Sequence, residues 1–319
     1  MDVFRPIPVD VIQVDERSVV DLFVRHEDRL VSFLEKGGTF TRDHLVQLNR
    51  HGCTRVYIRG AEATAFERYV STYSDRILTD PTIPSRVKAA TFYVASTHAL
   101  RNAFENPDAQ QIEEIKKTLH PMFRSIMNNE VLLSDLFAIT EHDFATYTHS
   151  VNVGIYATAL AIRFYKNDRA VGAAEMERLC YGYFLHDIGK SRVPLSILRK
   201  RGSLSEDEWK VMRKHPEWGY TRLMETGHLT EEAAYISLQH HERPDGSGYP
   251  LGMKDIHPCA RICTMADIYD ALTAERPYKK SMNPFDAFGI LRREAFTEFD
   301  HNLLGTFIRM LGPEKDVIH

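Results

Sequence analysis

The chain of 319 residues is long enough for two domains and a sizeable core. A net charge of −4 at pH 7 supplies no basic footprint for a nucleic-acid polymer. No stretch is apolar for long enough to span a bilayer, so a membrane-embedded protein is not expected. The first residues, Met1 to Pro6, lack the basic-then-apolar layout of a signal peptide, and the expected compartment is the cytoplasm. Four cysteines, Cys53, Cys180, Cys259 and Cys263, are too few for a disulfide framework, and Cys259 and Cys263, which form no C-x-x-C pair, read as buried hydrophobes.

Residues 1–80 read as a small α/β domain, with an accessory or sensing role. Ile7, Val9 and Val11 alternate, which predicts a short strand with a bulge before Ile12 and Val14. Leu22-Phe23-Val24 and Leu30-Val31-Ser32-Phe33-Leu34 flank a polar turn and predict a hairpin. Thr41 or Asp43 is placed to cap a short helix through Leu48, and Arg55 to Ile58 reads as a buried strand. Pro81-Thr82-Ile83-Pro84 interrupts both helix and sheet and reads as a linker.

From Ser85 onward the apolar residues recur at spacings of three and four. This predicts a helical connector over 81–145 and an all-α bundle over 146–319. The overall class is mainly α. Within the bundle the predicted helices include Tyr147 to Tyr165, Ala170 to Leu185, Ser205 to Lys214, Thr230 to His241, Cys259 to Ala274 and Asn283 to Phe296.

The candidate chemistry lies on these helices. His186-Asp187-Ile188-Gly189-Lys190 ends an apolar run with two metal ligands of different hardness, followed by a glycine suited to a sharp turn and a lysine. His149 shares a helix face with Val153 and Tyr156 and points inward. His215 sits at a helix boundary set by Pro216. His240-His241 closes another apolar run, and two adjacent core imidazoles without a cation would need partners for four ring nitrogens. Asp267 lies in the apolar run Ile262 to Leu272, where a buried carboxylate needs a cation. Asp270, one turn later on the same face, is placed to orient a ligating imidazole, with a helix cap or a salt bridge as the alternative.

Five imidazoles and two carboxylates exceed the needs of one ion. They suit two metals about 3.5–4 Å apart, with Asp187 bridging, His149, His186 and Asp267 on one ion and His215, His240 and His241 on the other. Nitrogen and oxygen ligands without thiolate favour iron or manganese and also admit zinc or nickel.

These residues, in this order, resemble the HD-GYP domain, a subgroup of the HD superfamily of metal-dependent phosphohydrolases. The resemblance rests on His149, His186-Asp187-Ile188-Gly189-Lys190, Lys214-His215-Pro216, His240-His241-Glu242-Arg243, Asp245 to Pro250, Ala266 to Thr273 and Arg276-Pro277-Tyr278. It covers roughly Thr146 to Leu311 and implies a bacterial phosphodiesterase acting on cyclic di-GMP. In the family the seven ligands hold two metals. The resemblance further implies catalytic roles for Asp187 and Lys190, with Lys190 contacting a phosphate oxygen or protonating the leaving oxygen. It implies substrate contacts from Tyr249, Arg276 and Lys279, and protein partners through the GYP loop or the N-terminal domain.

Two positions depart from the family. Ala145 stands where many members carry a glutamate that looks like a ligand for a third metal, so two ions are expected here. Pro244 stands where an aromatic is common. Hydrolysis of cyclic di-GMP is the leading expectation. A cyclic di-GMP-responsive binding module with negligible turnover is an alternative, as is a phosphohydrolase of another nucleotide.

Overall fold

A computed structural model describes residues 3–27, 29–128, 130–140, 146–166, 172–200, 202–274, 281–294 and 297–311. The chain divides into two compact units. One comprises Met1–Ala99 with Arg124–Ile139, and the other Leu100–Phe123 with Thr140–His319.

The first unit is built on a four-stranded antiparallel sheet. Its strands Phe4–Pro8, Arg55–Arg59, Leu22–His26 and Arg29–Leu34 lie side by side in that order. Phe4–Pro8 takes an edge, which suits Pro6 and Pro8 because neither can donate to a ladder. The alternation of Ile7, Val9 and Val11 is not one strand. The strand ends at Pro8 and Val9–Val11 forms a 3-10 turn that buries both valines. The hairpin pairs Leu22 with Leu34 and Val24 with Val31, and its register shift falls between Leu22 and Phe23. Thr41 caps the helix Arg42–Arg50, with His44 returning the hydrogen bond.

The helices Ala63–Ser71 and Ser74–Thr79 follow the last strand; the alternation-based reading did not reveal them. Val11, Val20, Leu22, Val56, Ile58, Phe66 and Val70 form the core, joined by Ala90 and Val94 of the helix Ser85–Glu105. The Tyr73 hydroxyl donates to the Val11 carbonyl and ties the helices to the 3-10 turn.

The second unit is helical. The helix Thr146–Phe164 packs against Ala173–Phe184 and Pro258–Thr273. Aromatic rings fill one side of this core, with Tyr156 and Tyr269 at 5.3 Å and Tyr269 and Phe307 at 5.1 Å between centroids. The expected helix Ser205 to Lys214 is shorter, Glu206–Met212, because Ser205 is its cap and Glu208 completes a capping box. A separate helix, His215–Thr226, begins at the next ligand, with Pro216 in its first turn where a missing N–H costs nothing. Helices Glu231–Gln239, Pro284–Glu294 and Glu298–Leu311 complete the described part. No helix among the described residues is long and apolar enough to cross a membrane.

Candidate metal centre and substrate cleft

The ends and inner faces of five helical segments bring the seven singled-out side chains into one cluster. His149 lies on the first helix of the unit, Thr146–Phe164. His186 and Asp187 follow the end of Ala173–Phe184. His215 opens His215–Thr226, His240 and His241 follow Glu231–Gln239, and Asp267 lies within Pro258–Thr273. His149, His186, Asp187, His215 and His240 are each at most 3% exposed.

Donor atoms of Asp187, His215, His240 and His241 all lie within 4.8 Å of one another, and so do those of His149, His186 and Asp187. Asp187 belongs to both sets. Asp267 Oδ1 is 3.0 Å from His149 Nε2, and Asp267 Oδ2 is 3.9 Å from His241 Nδ1.

Backbone and carboxylate acceptors fix the imidazole orientations. Nδ1 of His186 lies 2.9 Å from the Tyr183 carbonyl, Nδ1 of His215 lies 2.8 Å from that of Met212, and Nδ1 of His240 lies 2.8 Å from that of Ser237. A carbonyl can only accept, so each Nδ1 carries the proton and each Nε2 keeps its lone pair. Those Nε2 atoms face Asp187, at 3.5, 3.2 and 3.6 Å for His186, His215 and His240. His149 Nδ1 instead meets Asp270 Oδ2 at 2.7 Å, and Asn152 donates to the other Asp270 oxygen at 2.9 Å. Asp270 therefore orients a candidate ligand rather than capping a helix.

His186 Nε2 and Asp187 Oδ1 are buried with no hydrogen-bond partner. The 3.2 Å approach of His215 Nε2 to Asp187 Oδ1 sets two lone pairs face to face, because the His215 proton lies on Nδ1 toward the Met212 carbonyl. Buried orphaned acceptors cost about 1–3 kcal/mol each, and two within one buried cluster are the expected condition of a site that takes cations. The donor set of imidazole nitrogens and carboxylate oxygens fits divalent metal.

The local field agrees. Burial opposes ionisation of Asp187, but the Lys190 ammonium overcomes it and holds the carboxyl well below its usual range. Lys190 Nζ donates directly to Asp187 Oδ2. Burial lowers His186 to about 3 and also lowers His215 and His241, so these rings stay neutral and able to donate lone pairs. Burial works against a charged His149, yet Asp267 and Asp270 override it and raise its pKa to about 9. Two carboxylates thus draw positive charge to the position where His149 Nε2 faces the cluster.

Gly189 does not make the sharp turn expected of it; its backbone has no positive φ. It lies in the 3-10 segment Ile188–Arg192, pressed against the helix His215–Thr226. A Cβ there would fall 1.9 Å from the His215 carbonyl oxygen and 2.5 Å from Gly219 N. The absent side chain lets Asp187 and His215 come together.

The loop after His241 forms one wall of a cleft of about 240 Å3, which His240, His241, Asp267 and Tyr249 line. The Tyr249 ring stacks on His241 with centroids 4.7 Å apart, and its backbone N–H donates to the His241 carbonyl at 3.1 Å. Gly248 lets the loop pass over Glu242 and Arg243, where a Cβ would lie 2.4 Å from Arg243 N. The buried Glu242 carboxylate accepts from Leu251 N at 2.6 Å and Met253 N at 3.0 Å, so it clamps the loop.

Arg276, Lys279 and Ala145 lie outside the described residues. Sequence reasoning gave no role to Asn152, Glu242 or Ser237, whose hydroxyl donates to the His186 carbonyl at 2.7 Å. Asn152 carried a signal, since it lies one turn after His149.

The HD domain family matches residues 134–303, over half of the chain. The chain belongs to this family. Within it, the motif order from His186-Asp187 through Gly248-Tyr249-Pro250 makes it an HD-GYP domain protein. It is 34% identical over 233 residues to the cyclic di-GMP phosphodiesterase PA4108 of Pseudomonas aeruginosa, covering 72% of this chain and 53% of that protein. It is 41% identical over 128 residues to the cyclic di-GMP phosphodiesterase response regulator RpfG of Xanthomonas campestris pv. campestris, covering 39% of this chain and 34% of that protein. The chain thus spans about half or less of the length of these relatives. Its fold is that of Bd1817, an HDG"Y"P protein from Bdellovibrio bacteriovorus, with a TM-score of 0.68 at 21% identity, covering 98% of this chain and 100% of that one.

Proposed function

We propose that this protein hydrolyses a 3′–5′ phosphodiester bond of cyclic di-GMP in the cleft beside Asp187. The observation that carries the reading is Asp187 itself, a buried carboxylate shared by two sets of imidazoles and touched by the Lys190 ammonium. The names of the two curated relatives support the substrate.

In this reading His149, His186, Asp187 and Asp267 hold one divalent ion, and Asp187, His215, His240 and His241 hold a second. Iron or manganese suits these donors best. The ions, when bound, supply Lewis acidity and an activated water. The remaining steps fall to side chains. Asp187 stays ionised in its buried position and sets the spacing of the two ligand sets. Lys190 contacts a phosphate oxygen or gives a proton to the departing ribose oxygen. The Tyr249 ring, held by His241, lines the cleft as a substrate contact. Arg276 and Lys279 are assigned to phosphate binding on the family pattern alone. Residues 146–319 form the catalytic domain, 81–145 the connector and 1–80 an accessory or sensing domain, and the protein acts in the cytoplasm. Protein partners would dock on the GYP loop or the N-terminal domain.

The test is chromatography of cyclic di-GMP incubated with iron- or manganese-loaded protein, beside other cyclic dinucleotides. Metal-dependent conversion to linear dinucleotide or GMP is expected. Binding without turnover would make the protein a ligand-responsive module, and preference for another nucleotide would move the substrate.

A further inference from the structure

A second cation besides Lys190 faces the site. Arg213 directly follows the helix Glu206–Met212 and lines the same cleft as His240, His241, Tyr249 and Asp267. Its guanidinium carbon lies 5.9 Å from the ring centroid of Trp209, one turn earlier, and 5.6 Å from that of Tyr249. Two aromatic faces thus hold one guanidinium. Among the described residues no carboxylate forms an ion pair with Arg213.

This is an uncommon state for an arginine beside a cluster of carboxylates. Rings engage the flat faces of a guanidinium and leave its N–H edge for in-plane acceptors, and the acceptor that matches two parallel N–H groups is a carboxylate or a phosphate. Among the described residues no carboxylate takes that place. A cyclic dinucleotide carries two phosphodiesters. The metal ligands and Lys190 serve the one that is cleaved, and the other still carries a full negative charge that enters the cleft with it.

We propose that Arg213 binds the phosphate of the cyclic dinucleotide that is not cleaved, with its guanidinium pre-set by Tyr249 and Trp209. The proposal rests on the substrate reading given above. It makes Arg213 a substrate-binding residue that anchors the far side of the ring and so presents the reacting phosphate to Asp187 and Lys190. Tyr249 then has a second task, because its ring contacts both His241 on the metal side and Arg213 on the phosphate side.

The experiment compares wild type, Arg213→Ala and Arg213→Lys in metal-loaded protein. Two substrates are used: cyclic di-GMP, with two phosphates, and bis(4-nitrophenyl) phosphate, with one. Binding of a phosphorothioate analogue of cyclic di-GMP is measured in parallel, together with metal content. Loss of a charge-assisted contact at an exposed position should raise KM for cyclic di-GMP and weaken analogue binding by about tenfold in Arg213→Ala. Arg213→Lys should recover part of that loss, and the single-phosphate ester should suffer several-fold less than cyclic di-GMP. Equal losses on both substrates, or a fall in metal content, would overturn the assignment by placing Arg213 in the support of the metal centre. An unchanged KM and unchanged analogue binding, in a protein whose wild type cleaves cyclic di-GMP, would overturn it alone. A wild type that neither binds nor cleaves cyclic di-GMP would remove the substrate reading and this assignment together.

Discussion

Asp270 accepts a 2.7 Å hydrogen bond from His149 Nδ1 across 121 residues of sequence, and Asn152 donates to its second oxygen. A carboxylate in this position fixes the tautomer of the ring and makes Nε2 more basic. Substitution of such partners typically weakens metal binding by about 10- to 100-fold. Asp270→Asn is therefore expected to lower metal affinity by about that factor, read by competition with a coloured chelator. Unchanged affinity would mean that His149 needs no help to face the cluster.

Lys190 donates to Asp187 Oδ2 and is only partly exposed. Lys190→Ala is expected to keep its metal content and to lose about 100-fold or more in kcat, the scale of removing one electrostatic donor at a reacting phosphate. Metal analysis beside the rate settles the role. Loss of the metals would make the lysine a structural partner of Asp187.

Gly189 is the point where the segment carrying Asp187 meets the helix carrying His215. The first atoms a Cβ would meet there are backbone, at 1.9 and 2.5 Å, and backbone yields less readily than a side-chain tip. Gly189→Ala should destabilise the protein by about 1–3 kcal/mol or more and separate Asp187 from His215. A lowered thermal midpoint with lowered metal content is the expected pair of readings. A variant that unfolds and binds metal like the wild type would contradict the close approach.

The cysteines give a prediction independent of any metal. Cys180, Cys259 and Cys263 are buried, whereas Cys53 is partly exposed. Burial raises the Cys180 thiol from 9.0 to about 12 and Cys259 to about 11, and it pushes Cys263 up as well. Ellman's reagent at pH 8 should modify one thiol in the native protein and four in denaturant. The native state holds these protons to higher pH than the unfolded chain does. Their contribution to stability is thus intact below pH 9.0 and declines as the pH climbs toward about 12. Rapid labelling of several thiols in folded protein would contradict the burial.

Much of the site could be read from residue types alone. Adjacent His186-Asp187 and His240-His241 stand out because imidazoles and carboxylates rarely end apolar runs without a task. Helical periodicity, in turn, put His149 on an inward face, and Asp267 stood out as a carboxylate within an apolar run. The hairpin Leu22 to Leu34 was equally legible, since alternation and a polar turn are local signals. The roles of Gly189 and Glu242 were not. One depends on a carbonyl 26 residues away and the other on a loop that folds back over its own start. The pattern Ile7, Val9, Val11 misled because burial of alternate residues is also met by a strand running into a 3-10 turn. Arg213 gave no sign in sequence, because what distinguishes it is the pair of rings that tertiary structure places around it.

In the proposed function Asp187 joins two ion sites rather than completing one. Anomalous diffraction from crystals of iron- or manganese-loaded protein tests it most directly. Two peaks per chain are expected, one beside His149, His186 and Asp267 and the other beside His215, His240 and His241, with Asp187 between them. A single peak, or a third of full occupancy, would contradict it.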